Sequence, residues 1–248
     1  MNDYQSYHMT RMEFVRYGLL GASAGFFILF LFYGDLWAVC VPGSFLAGTL
    51  FICYQKRELA KKSQWNLMLE FKDAMDSFVA ALVAGYSMEN AVREAYRDLK
   101  LMYGKDTPML RELERMLHKL SLKESLDELL LDLGRRSGVK DIVTFGQIYA
   151  TARKSGGNLV QVMKRTAENI SEKVEVKREI QTKIAGKKME ANCMMLVPFS
   201  IILYLRLCSP GFLDPLYHGI AGRGFMTICL IFYGASVVWS QSIMNIQI

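Results

Sequence analysis

The chain has 248 residues and a net charge of +6; 52% of its residues are hydrophobic, yet 22% are charged. The two kinds are segregated: residues 55–190 hold 26 of the 30 Lys and Arg and 20 of the 24 Asp and Glu. This distribution excludes an ordinary soluble domain and fits a membrane protein with one long water-facing segment.

Residues 1–16 read as a short N-terminal tail. The first apolar stretch is "YGLLGASAGFFILFLFY", Tyr17–Tyr33, with nine Leu, Ile or Phe residues and no charge. At roughly −0.3 to −0.6 kcal/mol each near a helix centre, these contribute on the order of −4 kcal/mol towards insertion. Gly34 and Asp35 interrupt it, and "LWAVCVPGSFLAGTLFICY" follows from Leu36 to Tyr54. Each piece is close to the ~20 residues that cross about 30 Å of hydrocarbon, so the short link predicts a transmembrane hairpin over 17–54. A cleaved leader is the alternative for the first stretch, but no small-x-small cleavage site follows it. Gly21 and Gly25 form a small-xxx-small pair that would let two helices approach closely in the membrane.

The charged segment, 55–190, has helical rather than strand periodicity. Phe71, Met75, Phe78, Val79, Leu82 and Val83 make one stripe, and Met88, Ala91, Val92, Ala95, Tyr96 and Leu99 a second. Leu110, Leu113, Met116, Leu117 and Leu120 make a third, starting at Thr107–Pro108 with Pro in the first turn, where its missing N–H is harmless. Leu122, Leu126, Leu129, Leu130 and Leu133 form a fourth, Ile142, Phe145 and Tyr149 a fifth, and a sixth begins near Leu159. Six helices are therefore expected.

A small phrase recurs between them, as "AGYSMENAV", "LSLKESL" and "GGNLVQVM". Ser87, Ser121 and Asn158 stand where a new helix should begin, with side-chain oxygens able to accept from orphan backbone N–H groups. Ser121 with Glu124 has capping-box spacing, and Asn158 with Gln161 a looser version. Gly85 and Gly157 sit where the preceding helix must stop and turn. The phrase reads as helix punctuation. The spacing between the caps also admits a tetratricopeptide-like array of period about 34, although that family's Trp, Gly and Tyr positions are missing.

From Ala167 to Lys188 the apolar stripe thins to Ile170, Val174, Ile180 and Ile184, as in a stalk joining a bundle to a membrane, or a helix with a coiled partner contact. Two further apolar stretches follow, 191–207 with Pro198 and 224–241, predicting a second hairpin over 191–241 and a C-terminal tail at 242–248. Lys56, Arg57, Lys61 and Lys62 follow the second span, and Lys183, Lys187 and Lys188 precede the third. The positive-inside rule therefore places 55–190 and both termini in the cytoplasm.

No Asp, Glu, Lys or His lies in the middle of a span, which disfavours a transport path. There is no Gly-x-x-x-x-Gly-Lys-Ser/Thr loop, no Gly-x-Ser-x-Gly elbow and no zinc-binding His pattern, so no catalytic, cofactor-binding or metal-binding residue is expected. The five cysteines make no Cys-x-x-Cys pair and read as unpaired thiols. Basic residues beside the spans are explained by anionic headgroups rather than nucleic acid. Arg135, Arg136 and Lys140 cluster at a helix junction, either as a docking point for an acidic partner or as a solvated corner.

Taken together, "LVAGYSMENAV", "LSLKESLDELL", "SGGNLVQVMKRTAENI" and "KIAGKKMEANCMMLVP" resemble the F-domain family of type II secretion and type IV pilus machines. Within it the chain is most similar to the Tad (Flp) pilus branch, the TadB and TadC proteins, from about Leu59 to Trp239. The resemblance implies an all-α integral membrane protein in which two transmembrane hairpins flank a cytoplasmic six-helix F domain. It further implies a non-enzymatic platform of the inner or plasma membrane, coupling a hexameric secretion ATPase to pilin assembly. Its partners would be that ATPase, pilin subunits, the bilayer, and a paralogous subunit or further copies of itself. The residues alone leave open a membrane-anchored adaptor or a transporter subunit with a helical docking domain.

Overall fold

The computed structural model describes residues 11–34, 37–104, 107–155, 158–209, 211–217 and 219–244, and all regular structure among them is helical. Nine helices follow in chain order among these residues: α1 (Arg11–Tyr33), α2 (Trp37–Val83), α3 (Met88–Tyr103), α4 (Pro108–Ser121), α5 (Leu126–Ser137), α6 (Lys140–Lys154), α7 (Leu159–Cys208), α8 (Asp214–Tyr217) and α9 (Ile220–Met244). α2 has 47 residues and α7 has 50. Neither breaks where an apolar stretch gives way to a charged one, because i to i−4 hydrogen bonds are indifferent to the solvent outside. α1 likewise begins at Arg11, inside the expected tail.

The chain divides into two compact units, one of Arg57–Val176 and the other of Met9–Lys56 with Lys177–Ile248. The first is a six-helix bundle built from the C-terminal part of α2, then α3 to α6, then the N-terminal part of α7. Its core joins the predicted stripes: Phe71, Met75 and Phe78 of α2 meet Ala91 and Leu99 of α3, Leu113 of α4, Leu130 and Leu133 of α5, Ile142 and Phe145 of α6 and Met163 of α7. Phe71 and Phe145 meet edge to face, with centroids 5.5 Å apart. Ile170 and Val174 are the last stripe residues of α7 to be buried in this core, whereas Ile180 and Ile184 are half-exposed.

The second unit holds the apolar helices. Met12–Tyr33, a stretch within α7, and Ala221–Ile243 are each long and apolar enough to cross a membrane. The second expected span opens at Leu36, outside the described residues, and its remainder forms the N-terminal part of α2. Many large apolar side chains here face outward, Phe45 at 77%, Phe232 at 73% and Trp239 at 73% exposure. Water would not tolerate that surface, but hydrocarbon does.

Gly21 and Gly25 serve packing within the chain. A Cβ at Gly25 would lie 2.6 Å from the Ala47 Cβ and one at Gly21 2.8 Å from the Phe51 Cβ, so α2 occupies the groove they leave on α1. Tyr33 at the end of α1 and Thr227 of α9 share a 2.8 Å hydrogen bond, and the Tyr233 hydroxyl of α9 donates to the Met195 carbonyl of α7 at 2.6 Å.

Candidate functional site

The bundle helices alternate in direction, so the turns after α2, α4 and α6 gather at one end and those after α3 and α5 at the other. At the first end α2 and α4 stop in the same way. The Gly85 N–H donates to Leu82 and that of Tyr86 to Ala81; the Lys123 N–H donates to Leu120 and that of Glu124 to Lys119. Each is a Schellman closure, which needs its penultimate residue in the left-handed region. Gly85 is there at φ 90° and Lys123 at φ 65°.

This equivalence corrects the assignment of Ser121. Ser121 is the last residue of α4, and its hydroxyl donates back to the His118 carbonyl at 2.6 Å instead of opening a helix. The N-cap of α5 is Ser125, two residues beyond Lys123 as Ser87 is two beyond Gly85. The register is decided by burial: Leu126, Leu129, Leu130 and Leu133 enter the core, while Leu122 stays 64% exposed in the turn. Moving the cap to Ser125 makes the spacing of the three caps less even.

Ser87 occupies the N-cap of α3 in extended geometry, but its side chain makes no capping hydrogen bond. Asn158 does cap α7, its Oδ1 accepting from the Gln161 N–H at 3.2 Å. Gly157 lies outside the described residues. Ser125 instead donates to Asp127, and Arg153 at the end of α6 donates to both, at 2.8 Å to Ser125 and 2.6 Å to Asp127. The Ser125 hydroxyl, backed by Arg153, holds the Asp127 carboxyl below its ordinary range.

The opposite end contains polar groups sunk into the apolar interior. Glu112 is 1% exposed, and its two carboxylate oxygens accept from the two terminal nitrogens of Arg136, at 3.0 and 2.6 Å. Arg115 reaches the same carboxylate at 3.1 Å, and the Arg136 Nε donates to Asp132 at 2.8 Å. Glu112, first among these partners, raises the Arg136 pKa further above its already high value. Arg136 is therefore not part of a free basic surface, because a guanidinium fork so placed is consumed by the carboxylate it matches. Arg135 and Lys140 are exposed beside it.

Glu70 on α2 is buried and accepts the Met109 N–H at 2.8 Å, joining Thr107 in closing the start of α4. Burial pushes the Glu70 carboxyl above the usual range, against the opposing pull of the Met109 and Thr107 hydrogen bonds. Gln64 donates to the Ser137 carbonyl at 3.3 Å, and Tyr103 donates to Asp73. Sequence reading passed over Glu112 and Glu70 as members of alternating charge patterns. The signal was their phase: Glu112 stands three after Met109 and four before Met116, and Glu70 three after Leu67 and four before Ala74, within the buried stripes.

The interior void of the bundle is lined by apolar side chains such as Phe78, Val92, Met109, Leu113 and Phe145, which offer a polar ligand nothing to bond. Among the described residues no three His, Cys, Asp or Glu side chains are grouped as for a metal.

A water-compatible helical bundle carried on helices with lipid-compatible flanks defines an all-α integral membrane protein. The chain belongs to the type II secretion system (T2SS) protein F family, whose family model matches residues 74–205, from the C-terminal part of α2 through the bundle to the apolar part of α7. Its members are membrane platform components of secretion and pilus-type machines. No curated protein and no solved structure shows significant similarity to this chain.

Proposed function

We propose that this protein is the membrane platform of a Tad-type pilus machine, in the manner of the TadB and TadC proteins, and that it couples a cytoplasmic secretion ATPase to pilin assembly. It resides in the inner or plasma membrane with the bundle and both termini in the cytoplasm, performs no catalysis, and works beside a paralogous subunit or further copies of itself. The family match across 74–205, in a chain with apolar helices on both sides of the bundle, carries this reading. The lysines and arginines at 56–62 and 183–188 support the orientation. Continuity of α2 and α7 between charged and apolar segments supports a mechanical role, since an unbroken helix passes axial force along its hydrogen bonds.

The test is photo-crosslinking in cells from Tyr86, Leu122 and Lys123, exposed residues at the turns after α2 and α4. Capture of a nucleotide-hydrolysing motor is expected. A folded protein that captures none from any of the three positions refutes the coupling. A cysteine at 123 that reacts with a membrane-impermeant reagent in intact cells refutes the orientation.

A further inference from the structure

Around the link between α7 and α9, two arginines are anchored with no acidic partner among the described residues. Arg206, near the end of α7, donates from Nη1 to the Phe30 carbonyl at 2.9 Å. Its guanidinium carbon lies 4.1 Å from the Phe30 ring centroid and 6.0 Å from that of Tyr217. Arg223, at the start of α9, donates from Nε to the Tyr217 carbonyl at 3.0 Å. Tyr217 is itself fixed, its hydroxyl donating to the Leu31 carbonyl at 2.7 Å.

One tyrosine thus orients both cations, one at its ring and the other at its carbonyl. A guanidinium carries five N–H donors in a planar fork, and each of these arginines spends one nitrogen on a backbone carbonyl. Neither forms an ion pair among the described residues. The remaining donors are not sealed in the protein, since no buried side-chain nitrogen lacks a partner. Carbonyls and aromatic faces orient a cation but leave its charge uncompensated, and at a hydrocarbon boundary an uncompensated charge is costly. The anion available at that depth is a phosphate diester, whose oxygens match the guanidinium fork.

We propose that Arg206 and Arg223 form a phosphate site at the membrane surface beside the link between α7 and α9, and that its occupant is the headgroup of a phospholipid. The site rests on the membrane character of the chain and is independent of the platform reading.

The test uses full-length protein in detergent with phosphatidylglycerol added, read by native mass spectrometry and thermal unfolding, with inorganic phosphate at matched concentration as a second arm. Wild type is expected to retain at least one more phospholipid than the R206M/R223M double variant, and to gain several degrees in Tm that the variant does not. Tyr217→Phe, which keeps ring and carbonyl but loses the hydroxyl bond, is expected to unfold earlier yet keep the lipid response. Arg206→Lys, with the charge retained, controls for loss of the Phe30 contact and should keep part of the shift. Equal protection by inorganic phosphate would reassign the site to a soluble anion and overturn the lipid assignment. Equal lipid retention by wild type and double variant would overturn the site itself.

Discussion

Arg136 and Glu112 meet as a two-pronged pair across α5 and α4, with both terminal nitrogens of one on both oxygens of the other, and Glu112 is almost wholly out of water. Removing either partner takes the matched counter-charge from a buried group, leaving Glu112 only the half-exposed Arg115 and Arg136 only the exposed Asp132. Glu112→Ala and Arg136→Ala should each cost about 3–5 kcal/mol, while an apolar replacement of both should cost far less than the two single losses together. Denaturant unfolding of the full chain in detergent, run as a double-mutant cycle, measures this. Independent, additive losses would show that the pair is not a unit.

The contact between α5 and α6 depends on a missing side chain. A Cβ on Gly134 would lie 2.8 Å from the Val143 Cα, and backbone cannot swing aside as a side-chain tip can. Gly134→Ala should destabilise by about 1–3 kcal/mol. Gly186, in the exposed part of α7, has nothing within 4 Å of its would-be Cβ. Gly186→Ala should stabilise by about 0.5–1 kcal/mol through helix propensity alone. Opposite shifts in the unfolding midpoint are the expected result.

The two Schellman turns differ in one residue. Lys123 holds at φ 65° the conformation that Gly85 holds at φ 90° without a Cβ. Lys123→Gly should therefore stabilise by about 1 kcal/mol and Gly85→Ala destabilise by a similar amount. The Lys119–Glu124 ion pair beside the second turn is exposed. Thermal unfolding of the two variants against wild type reads both signs.

Glu70 gives a pH signature. Its folded pKa is raised by burial, so the folded state binds the proton more tightly than the unfolded one, and its contribution to stability falls as pH rises through and above the ordinary carboxylate range. Glu70→Gln keeps an acceptor for the Met109 N–H and removes the titration. The stability of Glu70→Gln minus that of wild type should rise as pH rises through and above the ordinary carboxylate range. Asp127, with its pKa lowered, acts in the opposite sense: Asp127→Asn should lose the stabilisation that wild type gains as pH rises out of the strongly acid range. Denaturation midpoints across pH settle both signs, and a flat difference for Glu70→Gln would place its carboxylate in water.

Much of this molecule was legible in the order of its residues. Apolar runs near 20 residues specify membrane-crossing helices because hydrocarbon leaves backbone groups no partner outside the helix. Stripes at three- and four-residue spacing specify the bundle because only such a face can be buried. Asn158, next to the start of α7, could be assigned to its cap from neighbours alone. Ser121 could not be separated from Ser125 that way. Both precede a leucine, and only the depth of Leu126 against the exposure of Leu122 distinguishes them.

Tertiary structure decided everything that depends on a residue far away in the chain. Whether Arg136 is a surface cation or the partner of a buried acid turns on Glu112, 24 positions earlier. Whether Gly21 and Gly25 pack on another chain or their own turns on Phe51 and Ala47. The sequence determined which segments are helical and which face of each seeks apolar company, since both follow from local hydrogen bonding and periodicity. The pairing of charges and the close approach of backbones follow from helix phase and neighbour, and those exist only once the helices have packed.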